Sequence, residues 1–165
     1  MINNRYQRFI YIGFFLTGLI TFVSCLTEEV CEDIDVMIRI GFYEDNPDNE
    51  EPSPVFIDSL TVYGLGVDSL IYNNAFNVGQ IELPLASHQD SCAFVFRFPG
   101  NERNLVYDTL WFHYTRSPKL ISMECGFVTF FHLKDITYST NQTSTIEIED
   151  PDITNDFNEH VKIFP

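Results

Sequence analysis

The 165-residue chain carries 24 acidic against 9 basic residues, a formal charge of −15 at pH 7, with 45% hydrophobic and 15% aromatic residues. A charge of that sign repels phosphate backbones and anionic membrane faces, which argues against nucleic acid as a partner. The aromatic content is far above what a disordered acidic tail carries, and the length suits one domain with a proper core rather than two.

Arg5 and Arg8 are the only charges before Glu28, and they precede an apolar run from Phe9 to Val23 broken by Gly13, Thr17, Gly18 and Thr21. This is the layout of a signal peptide. A helix of those residues rises about 22 Å, short for a hydrocarbon core of about 30 Å. Val23 and Ser24 lead directly into Cys25, an arrangement that resembles the lipobox of bacterial lipoproteins, although Phe22 stands where Leu is usual. The resemblance implies a diacylglyceryl group on the Cys25 sulfur and cleavage that leaves Cys25 as the new N-terminus. The alternatives are an uncleaved membrane anchor or an ordinary signal peptide with an incidental cysteine. Cleavage after Ser24 removes two arginines and leaves the chain more acidic still. Leu26, Thr27, Glu28 and Glu29 resemble the acidic export tags of surface-displayed Bacteroidota lipoproteins, or serve simply as a solvated tether. The expected organisation is a signal peptide over 1–24, a lipidated cysteine and acidic tether over 25–33, and a β-domain over 34–165.

From Ile34 the apolar residues alternate through "IDVMIRIGFYED", the period of two that lays one face of a strand on a core. The same reading fits "FIDSLTVYGL", "DSLIYN", "QIELPL", "AFVFRF", "LVYDTLWFHYT", "KLISM", "FVTFFHL", "STIEIE" and "HVKIFP". Turn residues separate them: Asn46 to Pro54, Gly64 with Gly66, Asn73 and Asn74, Pro99 to Asn101, Ser117 with Pro118, Asn141, and Pro151 to Asn158. No apolar 3.6-residue periodicity is available for crossover helices, so the chain reads as a single antiparallel β-sandwich, immunoglobulin-like or related, with about 8–10 strands.

With Cys25 acylated, Cys31, Cys92 and Cys125 remain, and an odd number permits at most one intramolecular disulfide. Cys31 and Cys125 each lie beside a candidate strand, and closing a loop of about 95 residues stabilises by roughly 4–5 kcal/mol in the chain-entropy view. Cys92 opens an apolar run and reads as a buried unpaired thiol. The alternative leaves all three reduced.

Sequence signatures of chemistry are sparse. His88, His113, His132 and His160 are isolated from one another, and no CxxC, GxSxG or SxxK arrangement occurs. His113 and His132 are expected on the strand faces opposite their apolar neighbours. "GLG" at Gly64 to Gly66 is followed by another strand and reads as a turn. The acidic stretches "YEDNPDNEE" from Tyr43 and "EIEDPDITNDFNE" from Glu147 offer oxygen ligands for calcium, without EF-hand spacing, against a default of solvated charge. Trp111 in "LWFHYTR" is either a core residue, the default for a lone Trp in an alternating strand, or part of a sugar-stacking platform. "DSL" at Asp58 and Asp68 and "DTL" at Asp108 resemble the O-glycosylation acceptor signal of exported Bacteroidota proteins, which would place sugars on Ser59, Ser69 or Thr109.

"LTVYGLGVDSLIYN" from Leu60, "IELPL" from Ile81, "DTLWFHYTRSPKLISMECGF" from Asp108 and "HVKIFP" from His160 together resemble a family of small, uncharacterised Bacteroidota lipoproteins described only as a domain of unknown function. The resemblance implies a recurring cysteine pair corresponding to Cys31 and Cys125. This chain lacks the family's Pro-bearing segment after the first cysteine and adds Cys92. No activity follows from it. The function expected is a non-catalytic binding or structural module, held by its acyl anchor at the cell envelope on the outer membrane, with an envelope protein or a glycan as partner and no cofactor. A carbohydrate-binding accessory lipoprotein and a hydrolase with an unrecognised site are the alternatives.

Overall fold

The computed structural model describes residues 34–46, 51–100, 105–123 and 125–165. The expected signal helix and tether, with Cys25 and Cys31, lie outside them. All regular structure within the described residues is strand: β1 Met37–Glu44, β2 Ser53–Pro54, β3 Leu60–Gly64, β4 Leu70–Ala75, β5 Gln80–Pro84, β6 Ser91–Phe98, β7 Val106–Ser122, β8 Gly126–Tyr138, β9 Thr145–Ile148, β10 Asp152–Ile153 and β11 Val161–Phe164.

The strands form two sheets. One runs β2, β1, β11, β9, with β5 also paired to β1, and the other runs β10, β8, β7, β6, β3, β4. Every pair is antiparallel except β1 with β11, where Ile40, Gly41 and Phe42 face Val161, Lys162 and Ile163 in parallel. A parallel pair needs a long crossover, and here the whole intervening domain supplies it. The alternation read from sequence fills the space between the sheets. Ile38, Ile40 and Phe42 of β1, Leu60 and Val62 of β3, Phe96 and Phe98 of β6, and Leu110, Phe112 and Tyr114 of β7 are all essentially sealed from solvent. Aromatic edges lock the packing: Phe94 meets Phe112 at 5.9 Å and Tyr114 meets Phe131 at 5.2 Å, both nearly perpendicular.

β1 is covered on both faces, because the segment before β11 folds over its outer side. Gly41 permits this approach: a Cβ there would lie 2.0 Å from Oε2 of Glu159. Glu159 instead accepts from the Tyr43 hydroxyl at 2.9 Å.

One expectation is corrected. Ser117 and Pro118 do not form a turn; "LVYDTLWFHYT" and "KLISM" are one 17-residue strand, β7. Tyr114 donates its amide to Asp90 O at 3.0 Å, on the β6 side. Amides alternate edges along a strand, so position 118 faces that same side, past the end of β6, where Ser91 pairs with His113. Proline there forfeits no ladder hydrogen bond, which is why an edge tolerates it. The sandwich of about 8–10 strands read from the sequence is present, and the two-residue strands β2 and β10, which carry no periodicity, bring the described strands to eleven.

Candidate functional site

Residues 110, 112 and 114 of β7 point into the core, so 109, 111, 113 and 115 form the outer face of the six-stranded sheet. Trp111 belongs to that outer set and is 38% exposed, which corrects the default expectation of a core tryptophan. Its cross-strand neighbours are Ala93 on β6 and Thr137 on β8, both short side chains. One row along, His113 lies between Ser91 and Asp135. A bulge at His113 and Tyr114 places two consecutive β8 residues, Lys134 and Asp135, on this exposed face, the re-aiming of side chains that bulges produce. Farther along, the Nδ1 of His132 is 2.7 Å from Asp152. Both His113 and His132 are exposed, as their neighbours' alternation predicts.

A second surface is the distal part of β7 and β8. Beyond Tyr114 the two strands continue as a ribbon, paired to each other from Thr115 and His132 out to Ser122 and Gly126. Its crest exposes Leu120, Ile121, Met123 and Phe127, the last two at 84% and 72%. Lys119 lies over the Phe130 ring at 4.7 Å. Cys125 sits at this crest and donates its amide to Ser122. Cys92 is free and half-buried against the core, its thiol pushed up by burial.

Two buried polar clusters escape a reading of the sequence. Asp108 is fully buried and accepts four hydrogen bonds, from the Ser139 hydroxyl and from the amides of Asn141, Gln142 and Thr143, at 2.7–2.8 Å. Burial pushes its carboxyl up, but the four donors outweigh burial and hold it below the usual carboxylate range. The cluster clamps the turn by which the chain passes from β8 in one sheet to β9 in the other. Asp108 shares parity with Leu110, Phe112 and Tyr114, so an acid in phase with a core stripe is the available signal. The other cluster joins Arg39 and His160. Arg39, nearly sealed, donates to Glu82 at 2.8 Å and to the carbonyl of Asp156, under the Phe157 ring. His160 accepts the Arg39 amide on Nδ1 at 2.9 Å, so its neutral ring carries the proton on Nε2, 3.9 Å from Asp156. Burial lowers the His160 pKa against the opposing pull of Asp156 and Asp150. Sealed from solvent, this pair positions a loop and cannot meet a substrate.

The loop from Glu147 spends its carboxylates internally. Asp150 and Asp156 both accept from the Asn158 amide at 3.2 Å, Asp152 faces His132, and Glu149 pairs with Lys162 at 3.1 Å. Among the described residues no group of three or more His, Cys, Asp or Glu is arranged to hold a metal. The other acidic stretch, from Tyr43, falls partly outside the described residues. Ser59 and Ser69 are exposed ahead of β3 and β4, whereas Thr109 is half-buried within β7 beside the Asp108 clamp. Among the described residues no helix is long and apolar enough to cross a membrane.

The model of a family of unknown function matches residues 59–165, which takes in both exposed surfaces and the Asp108 clamp. No curated protein and no solved structure matches the chain.

Proposed function

The chain belongs to that family, DUF6452, and on this premise we propose that it is an exported, lipid-anchored, non-catalytic binding module of the cell envelope, tied to the outer membrane through Cys25. The observation that carries the binding role is the pair of exposed surfaces carried by β7 and β8: the Trp111 face and the apolar crest of the ribbon. Large apolar groups gathered on an otherwise acidic surface mark a site of contact. The anchoring rests on the charged, apolar and small-residue order that ends at Cys25, and two or more acyl chains there hold a protein stably where one holds marginally.

The fold also supports the Cys31 to Cys125 bridge as part of this reading. Met37 pairs with Pro84, and the following connection is bonded to the base of the ribbon, through Ala86 to the Tyr114 hydroxyl and through Ser87 to Arg116. The chain therefore enters β1 at the end of the sandwich from which the ribbon projects. The stretch from Cys31 to Met37 can span roughly 20 Å when extended, and the ribbon from Arg116 to Ser122 is about as long.

The anchoring is tested in cells fed a labelled fatty acid. The wild-type chain incorporates label and fractionates with membranes, while Cys25→Ser takes up none and is released; label on the Ser variant, or its retention in the membrane, would refute the proposal. A glycan as partner is favoured by the exposure of Trp111.

A further inference from the structure

We propose that the outer face of the six-stranded sheet, centred on Trp111, is a carbohydrate-binding platform for a neutral glycan whose sugar ring lies flat against the indole. This rests on the reading of the domain as an envelope binding module and names the ligand of one of its surfaces.

The chain has one tryptophan. It stands on β7, a strand with neighbours on both sides, with 38% of its surface open to water. The core position is taken by Phe112, and Trp111 is flanked across the strands by the small side chains of Ala93 and Thr137. An exposed indole offers a flat apolar surface with one N–H, matched to a ligand with an apolar face and a hydroxylated rim.

What surrounds the ring selects the class. Strands lie about 4.8 Å apart and successive outward rows about 7 Å apart, so His113, Lys134 and Asp135 stand one row from the indole, within reach of a sugar resting on it. They combine donors and acceptors, and the Lys134 and Asp135 charges offset. A phosphate ligand would call for several cations, and a metal for several carboxylates; alternating donors and acceptors suit hydroxyl groups, each of which is both. The bulge that brings Lys134 and Asp135 together onto this face is the local irregularity that sets the arrangement. Because the residues stand on strands, little ordering is needed on binding, which preserves affinity at a shallow surface. The shallow, open face also suits one side of an extended glycan better than a small molecule that needs enclosure.

The test uses the full chain in mild detergent, electrophoresed through native gels containing soluble galactomannan, xyloglucan, laminarin, glucomannan or arabinoxylan, with Trp emission followed in parallel. With a single Trp, the emission reports this face alone. Expected are retardation by at least one polysaccharide with a blue shift of emission, a loss of about tenfold or more in affinity for Trp111→Ala, a smaller loss for His113→Ala, and no loss for Phe76→Ala, an aromatic 78% exposed outside this face. No retardation and no spectral change across the panel would overturn the proposal, as would retardation that survives Trp111→Ala or binding at this face only by a protein. Cys25→Ser run beside the wild type separates the two readings: loss of fatty-acid label bears on anchoring, and loss of glycan retardation bears on the platform.

Discussion

Asp108→Ala is expected to lower the melting temperature by roughly 9–15 °C, on the order of 3 kcal/mol for a domain of this size. The carboxylate is fully buried and accepts four hydrogen bonds from one turn. Its removal strands a hydroxyl and three amides, of which Thr143 is itself buried and cannot recruit water. Asp108→Asn keeps the shape but turns an N–H toward those donors, so it should cost nearly as much. Thermal melts of the two variants beside wild type check this; a shift of under about 3 °C would mean that the turn is held elsewhere.

The same carboxyl sets a pH dependence. Its pKa is lower folded than in the unfolded chain, so its contribution is present above the ordinary 3.8 and is lost as pH falls through the folded value. His160 acts in the same sense. It is held neutral by burial, while the unfolded ring protonates below about 6.5, so stability begins to fall as pH drops under that value. Melts taken downward from pH 8 should show two stages of loss, and Asp108→Asn should lack the lower one.

Phe112→Ala is expected to cost about 3–5 kcal/mol, the range for deleting a buried phenyl ring. Phe112 is completely buried, paired across the sheet with Cys92 and Ile136, and edge-on to Phe94 at 5.9 Å. The adjacent Trp111→Ala should cost less than about half as much, although it removes a larger ring, because Trp111 is on the watered side. Denaturant unfolding of the two variants measures this contrast directly. Equal costs would mean that position 111 packs into the core and would remove the basis for a binding face.

The sandwich is legible in the sequence because apolar burial, the strongest force that folds it, writes a two-residue period along each strand. Ile38, Ile40 and Phe42, or Leu110, Phe112 and Tyr114, follow the alternation and line the core. Pro118 misleads because its usual role as a breaker holds only where an amide is needed, and edge position is a property of the assembled sheet. The parallel pairing of β1 with β11 joins residues at opposite ends of the domain, which no local pattern encodes. β2 and β10 are too short to show a period. Trp111 is the hardest to place: the alternation assigns it to the face opposite Phe112, while its size argues for the core, and the period is the better guide. The Arg39 and His160 cluster depends on a loop folding over β1 and has no local signature, whereas Asp108 shares parity with core residues, a signal that by itself does not tell a buried acid from an interruption of the stripe. Cys25 and Cys31 lie outside the described residues, so their roles rest on the reading of residues 1–33 and on the reach of the chain.

Mass spectrometry of the mature protein, isolated from its native cells without reductant, bears most directly on the proposal of an exported, anchored binding domain. The expected result is a chain that begins at Cys25, carries a thioether-linked diacylglyceryl group there, and yields Cys31 and Cys125 in one linked peptide pair. A chain that retains Met1, or one whose Cys25 bears no lipid, would contradict that proposal.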